Sequence, residues 1–238
     1  MADRDRPLYA VLIDADNIPA RFAGAILKEI TSFGEPALRR VYGDWSSGRL
    51  NNWTKAVRDL GLVAHQETAN TVGKNASDIG LVIDAMDILH TGRFDGIVLV
   101  SSDSDFTALA NRAREQGIDV IGIGEAKAPE SLRNVCNRFI LLENIIDEPA
   151  PVEKGTDPTV STKQNPTQAI PLILKAMDKI NADDEWYALG QLGQYVTRDN
   201  PDFDPRTYGK RKLSDLVEVL ARFETRKIGN QLHVRRVD

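Results

Sequence analysis

Residues Leu8–Asn17 read LYAVLIDADN, an apolar run that ends abruptly in two carboxylates and an amide. A short apolar run bounded by polar residues predicts a buried strand. Carboxylates at its C-terminal end would face the crevice where open α/β sheets bind ligands. Two later stretches have the form to meet it: Lys74–Asp84 (KNASDIGLVID) and Ile97–Phe106 (IVLVSSDSDF). Asp14 and Asp16 are two apart, which puts them on one side of an extended chain. Asp103 and Asp105 repeat that spacing after the apolar run Ile97–Ser101. Asp78 opens a predicted helix, Ser77–Leu89, in line with Val82, Ala85 and Leu89 on its apolar stripe. An acid on a buried stripe is costly unless it is paired, hydrogen-bonded or bound to a cation.

Carboxylates crowded into one place cannot all stay ionised without a counter-charge. A hard divalent cation, Mg²⁺ or Mn²⁺, supplies it through oxygen ligands. Such an ion activates water and offsets charge on a phosphoryl oxygen, which suits phosphodiester hydrolysis. The same residues also have plainer uses. Ser102-Asp103-Ser104-Asp105 fits a helix capping box. Asp16-Asn17 fits a cap for the helix that follows. Asp14, directly after four apolar residues, is harder to place as a cap and is the stronger metal-site acid. Asp84 and Asp87 lie well round the helix from Asp78 and are expected to face solvent. Lys74 fits either a phosphate contact or a solvated loop.

Around these stretches the first half alternates strand and helix. Strands are expected at Leu8–Ile13, Ala37–Tyr42, Leu62–His65, Ile97–Ser101, Ile118–Gly124 and Arg138–Leu142. Helices are expected at Ile18–Ser32, Leu50–Leu60, Ser77–Leu89 and Phe106–Gln116. That order predicts right-handed βαβ units and a mostly parallel sheet covered on both faces. Asp147–Pro166 then holds four prolines and almost no large apolar residues, the composition of a solvated linker. Beyond it, helices are expected at Gln168–Ile180, Trp186–Val196 and Lys212–Leu220. A hairpin follows, Phe223–Ile228 and Gln231–Val237 about Gly229-Asn230. Three helices and a hairpin are the order of a small winged helix-turn-helix. The expected domains are therefore 1–146, a linker 147–166, and 167–238.

The chain is 238 residues with a net charge of −5, and the charge is uneven. Residues 1–150 carry 16 basic and 22 acidic side chains, while Arg206–Asp238 alone carry nine basic and four acidic. An acidic half suits a metal site, and a locally basic tail suits an anionic partner. Lys210, Arg211 and Lys212 before the third helix, with Arg235 and Arg236 on the hairpin, are the candidate phosphate contacts. The alternative is a solvated basic cap. Trp186, Phe203, Tyr208 and Phe223 are expected in the core of this small domain. The single cysteine, Cys136, excludes an intrachain disulfide and a Cys-rich zinc site, and fits a reducing cytoplasm. No signal peptide or membrane span is expected, since the first apolar run is short and soon reaches Asp14.

LIDADN, then KNASDIGLVIDAMD, then VLVSSDSDF followed by a helix and GIDVIGIG, resembles the NYN domain, which includes the LabA-like bacterial proteins and is a branch of the PIN-like ribonuclease superfamily. The resemblance covers about residues 7–146. It implies a PIN-like three-layer α/β domain and a metal-dependent endoribonuclease. The acids it implies are Asp14, Asp78, Asp103 and Asp105, assisted by Asn17 and Ser102. One departure is that many relatives have glycine where this chain has Ser102 or Ser104. The tail, WYALGQLGQYVTRDNPDFDPRTYG, then KRKLSDLVEVLARFE and the VRRV ending, resembles the OST-HTH or LOTUS domain over about residues 166–238. That resemblance implies RNA binding or contact with a protein partner. Two alternatives stay open: a non-catalytic RNA-binding adaptor, and a haloacid-dehalogenase-like phosphatase with Asp14 as nucleophile and Asp16 as acid–base. Against the phosphatase, Ile18 stands where such enzymes carry Thr or Val.

Overall fold

The structure is a computed structural model that describes residues 5–46, 48–66, 76–146, 163–180 and 185–237. It divides into two compact units, residues 1–147 and 148–238. Most of the expected linker, and Lys74, lie outside the described residues.

The first unit begins with strand β1 (Leu8–Asp14), helix α1 (Ala23–Ile30), β2 (Glu35–Gly43), α2 (Asn51–Leu60) and β3 (Val63–Gln66). It continues with α3 (Ala76–His90), β4 (Gly96–Val100), α4 (Thr107–Glu115), β5 (Asp119–Gly124), α5 (Glu130–Val135), β6 (Arg138–Leu141) and α6 (Leu142–Ile145). The six strands are all parallel, in the order β3-β2-β1-β4-β5-β6. The chain builds outward from β1 in one direction, then crosses to β4 and builds the other way. The switch point therefore lies between the C-terminal ends of β1 and β4, the place where open α/β sheets take ligands.

Alternation along β1 explains both layers. Ala10 and Leu12 face Leu81, Ala85 and Ile88 of α3, with Leu109 and Ala110 of α4 in the same cluster. Tyr9, Val11 and Ile13 belong to the opposite cluster, with Ile26 and Ile30 of α1 and Trp53 of α2. Both clusters are buried, so β1 and β4 read as unbroken apolar runs. Gly61, the expected stop of the second helix, closes α2 in the left-handed conformation at φ 62°.

Some expectations are corrected. The first helix was expected from Ile18, but a short 3₁₀ turn, Ala20–Phe22, precedes α1, because Pro19 holds an extended backbone ahead of it. Two short helices, α5 and α6, had no periodicity long enough to read. Asp84 does not face solvent: its carboxylate accepts from Arg40 and from the Tyr42 hydroxyl, which pins α3 to β2. Asp87 is exposed, as expected.

The second unit contains α7 (Ile170–Lys179), β7 (Tyr187–Ala188), α8 (Leu189–Asp199), α9 (Leu213–Glu218), β8 (Phe223–Ile228) and β9 (Gln231–Arg236). Three helices pack with an antiparallel sheet of order β7-β9-β8, a winged helix-turn-helix. The start of the helix expected from Trp186 is instead the strand β7. Gly229 is at φ 59° and, among the described residues, no non-glycine residue has positive φ, so the hairpin turn has the φ pattern of type II′. Phe203, Tyr208 and Phe223 are buried in the core. Trp186 is not part of that core; it is half-buried, with the guanidinium of Arg226 4.0 Å and that of Arg235 5.0 Å from its ring.

Removing the carboxylate that fixes α3 strands a half-buried guanidinium and a buried hydroxyl. Asp84→Ala is expected to lower unfolding free energy by about 2 kcal/mol in a denaturant titration. Asp87→Ala should leave it within about 0.5 kcal/mol. Equal effects would show that the Asp84 contacts do not fix the helix.

Candidate acidic active site

The site is assembled from three chain ends at the switch point. Asp14 is the last residue of β1 and only 1% exposed. Its Oδ1 accepts from the backbone N–H groups of Asp16 (3.1 Å) and Asn17 (3.2 Å). Its Oδ2 accepts from Asn17 Nδ2 (2.6 Å) and Ser101 Oγ (2.8 Å). Burial pushes the Asp14 carboxyl above its usual range, and the bonds from Asn17 and Ser101 pull it back down.

The bond to Ser101 follows from register. Ile13 pairs with Val100, so the residues just after them meet at the strand ends. Ser101 also accepts from the backbone N–H of Asp103 at 3.1 Å. This serine, which sequence reasoning missed in favour of its neighbour, couples β1 to the loop after β4. Asp103 caps the 3₁₀ turn Ser104–Phe106, accepting from the N–H of Asp105 at 2.9 Å. The cap is therefore Asp103, not Ser102 as the capping-box pattern suggested. Ser102 turns away and accepts from the N–H of Glu125 (2.8 Å), tying β4 to the end of β5. Gly124 permits that approach, since a Cβ there would stand 2.6 Å from the Ser101 carbonyl oxygen.

The turn-anchoring role that the sequence suggested for Asp16 is filled by Asp14. Asp14 is the local anchor of the turn. Asp16 is exposed and accepts from Ser77 Oγ (3.0 Å), which ties the turn to the first residues of α3. The next residue is Asp78, half-buried at the open end of the helix stripe. Its carboxyl is pushed up to about 6, first by burial and then by the charges of Asp14, Asp103, Asp16 and Asp105. Those four carboxylates thus share the field around Asp78. Asp103 is partly exposed and Asp105 exposed at the rim.

The donor set can be tested against a divalent ion. The largest charge effects on Asp78 all come from carboxylates, so the cluster lacks its counter-charge. Among the described residues, however, no three acidic, imidazole or thiol groups stand together as a direct ligand cage. Asp14 has both oxygens engaged. The arrangement fits a hydrated hard cation held by one or two carboxylates and through water, the manner in which Mg²⁺ binds.

In the second unit Lys210 is partly exposed and Arg211 and Lys212 are exposed. Arg235 is bound to Glu224 (2.6 Å) and lies 3.7 Å from Glu185, while Arg236 lies 3.3 Å from Asp178. The hairpin arginines are thus already matched by acids.

The Asp78 carboxyl gives a pH signature. Unfolded, it releases its proton near the ordinary carboxylate value of 3.8; folded, it keeps it until about 6. The folded state binds the extra proton in that window, so without metal stability should fall as pH rises through it. Asp78→Asn should flatten the fall, by about 1 kcal/mol once screening at a half-exposed group is allowed for. Thermal melts in a metal chelator across that window check it; a variant that melts in parallel with the wild type refutes it.

Comparisons agree with this architecture. Residues 9–143 match the NYN domain and residues 161–234 match the OST-HTH/LOTUS domain. An uncharacterized protein of Methanocaldococcus jannaschii, MJ0482, is 26% identical over 137 residues, covering 55% of this chain and 53% of that protein. The chain thus spans about half the length of this curated relative. The crystal structure of VPA0982, a protein of unknown function from Vibrio parahaemolyticus, superposes with a TM-score of 0.50 at 19% identity, covering 58% of this chain and 94% of that one. That likeness speaks for the fold alone. The chain belongs to the NYN-domain family and carries an OST-HTH/LOTUS domain after it.

Proposed function

We propose that the protein is a metal-dependent endoribonuclease whose NYN domain hydrolyses RNA phosphodiesters and whose LOTUS domain holds the RNA. The observation that carries the reading is the gathering of acids at the switch point, where Asp78 is pushed up to about 6 first by burial and then by the charges of Asp14, Asp103, Asp16 and Asp105. The NYN domain is part of a nuclease superfamily, and the LOTUS domain supports RNA binding.

A bound Mg²⁺ or Mn²⁺ would make water a better nucleophile and offset charge on the phosphoryl oxygens. Asp103 and Asp78 would hold it, with Asp105 at the rim. Asp14 acts through its bonds: it fixes Asn17 and Ser101, and Ser101 fixes the Asp103 backbone. Asp78 is suited to take the proton of the attacking water, since its carboxyl is pushed up to about 6, towards neutrality. Water attacks phosphorus in line, the bond to the 3′ oxygen breaks, and that oxygen takes a proton from solvent. The products are a 5′-phosphate and a 3′-hydroxyl. In the LOTUS domain, Lys210, Arg211 and Lys212 are the better phosphate contacts, because the charges of Arg235 and Arg236 are matched by acids. Lys74 keeps its two readings. No described helix is long and apolar enough to cross a membrane. Action in the cytoplasm fits the buried thiol of Cys136.

Incubating mixed RNA pools with each metal tests the reading. The wild type should yield fragments with 5′-phosphates, and Asp103→Asn should cut about 10- to 100-fold more slowly. RNA binding without any cleavage, unaffected by the variant, would install the adaptor in its place. Changing Lys210, Arg211 and Lys212 to Ala should reduce the slope of log affinity against log salt by about 2. An unaltered slope would remove these residues from the interface.

A further inference from the structure

Beside the acid site lies a groove of about 620 Å³ between α1 and α2. Asp16 and Asn17 line it, so it is continuous with the turn that Asp14 anchors. Pro19, Ala20, Ala56 and Leu60, partly exposed, form its apolar floor above the buried Ile18, Leu50 and Trp53. The floor is fixed before any ligand arrives: the Trp53 indole N–H donates to the Ile18 carbonyl at 2.8 Å. Arg21, Arg49 and Lys55 stand on the groove lining as well. Arg21 and Lys55 are exposed. The Arg21 guanidinium is 4.6 Å from the ring of Phe22, which steadies it.

Gly24 keeps this space open. It is exposed on α1, lines the groove, and a Cβ placed there would meet nothing within 4 Å. Glycine inside a helix costs about 0.5–1 kcal/mol relative to alanine. Packing does not require it at this position, since an added side chain would extend into empty groove.

The rim sets Arg21, Arg49 and Lys55 against Asp16 and Asp59, and an apolar floor with that cationic excess has the chemistry of a nucleotide: base on the floor, phosphate at the basic side chains. The volume lies within the roughly 300–1,000 Å³ of ligand pockets. Only an unpaired base can leave its stack to lie on such a floor, so the ligand is single-stranded. The acid cluster repels phosphates, and cations alongside it are what would draw a strand in. We propose that the groove between α1 and α2 binds the single-stranded RNA segment adjoining the phosphate cut at the acid site. The inference rests on the reading of that site as an RNA-cutting centre and adds where the strand lies. Because α1 follows directly on the β1 turn, the groove and Asp14 hold a fixed register, and the bases in the groove would bias which bond is cut.

The test uses the full chain in a metal chelator with a short single-stranded RNA carrying 4-thiouridine. After irradiation, crosslinked peptides are mapped. Crosslinks are expected within residues 16–28 or 49–60. Gly24→Phe, which fills the groove without a clash, should reduce them at least about fivefold, as should Arg21→Glu with Lys55→Glu. Crosslinks within residues 163–237 should persist in the same samples, which shows that the variants still bind RNA, and an unchanged thermal melt shows that they remain folded. Arg112→Glu, an exposed charge reversal on α4, should leave the groove crosslinks unchanged. With Mn²⁺ added, Gly24→Phe should raise KM about fivefold and change kcat by less than about twofold. Absence of groove crosslinks, or crosslinks insensitive to Gly24→Phe, overturns the proposal. Groove crosslinks without cleavage keep the groove as an RNA site and reject the nuclease reading. Cleavage whose KM ignores the groove variants rejects the groove alone.

Discussion

Asp14 accepts four hydrogen bonds at the end of the central strand, and the site depends on them. A carboxylate 1% exposed would be costly without donors. Two of its donors are backbone groups of the turn it anchors, one is the side chain of Asn17, and one is Ser101 across the β1–β4 pair. Satisfying the buried charge therefore sets the path of the chain after β1 and the position of the loop after β4. Asp103 and Asp105 stand on that loop. Asp78 is brought in by a third connection, the Ser77–Asp16 contact, and by the clamp of Asp84 on Arg40 and Tyr42 further down α3.

The consequence is an unbalanced charge. Strand order places the three acidic segments together whether or not a cation is present, because the apolar packing on both faces of the sheet fixes where the strands end. Repulsion is borne by the half-exposed member, Asp78, which keeps its proton to about 6. Asp14 is differently placed, since its donors partly offset its burial. One carboxylate thus organises structure and another remains free to exchange protons or meet an ion. Their division of labour follows from burial and bonding, not from residue type.

This is also where the sequence was hardest to read. The strand and helix alternation was legible, since strands buried on both faces and amphipathic helices leave strong periodic signals. The acids Asp14, Asp78, Asp103 and Asp105 were legible as candidates because an acid after an apolar run stands out. Their individual roles were not. Asp14 and Asp16 differ by the direction the chain takes after Asp14, and no local pattern encodes that. Ser101 was passed over because its importance lies in its register opposite β1, a long-range fact. Asp84 looked solvent-facing because helix angle alone ignores that Arg40 and Tyr42 reach up from the sheet. Trp186 was taken for core because a single aromatic residue carries no sign that it precedes a two-residue strand and meets Arg226 and Arg235 of the hairpin. The groove had no motif at all: its lining is gathered from the β1 turn, α1 and α2, and at Gly24 a Cβ would meet nothing.

An acidic domain that binds a polyanion looks self-defeating, but distance resolves the difficulty. At physiological ionic strength charges are screened beyond about 8 Å, so the domain's excess of acids over its whole surface counts for little at any one phosphate. What counts is the few groups within that reach. At the acid site those are carboxylates, which repel a phosphate until a divalent ion intervenes. Along the neighbouring helices they include Arg21, Arg49 and Lys55. The two environments are a few residues apart in sequence, joined through Asp16 and Asn17. A strand drawn to the cations would therefore present its next phosphate to the acids, and the ion would be needed only where the bond is broken.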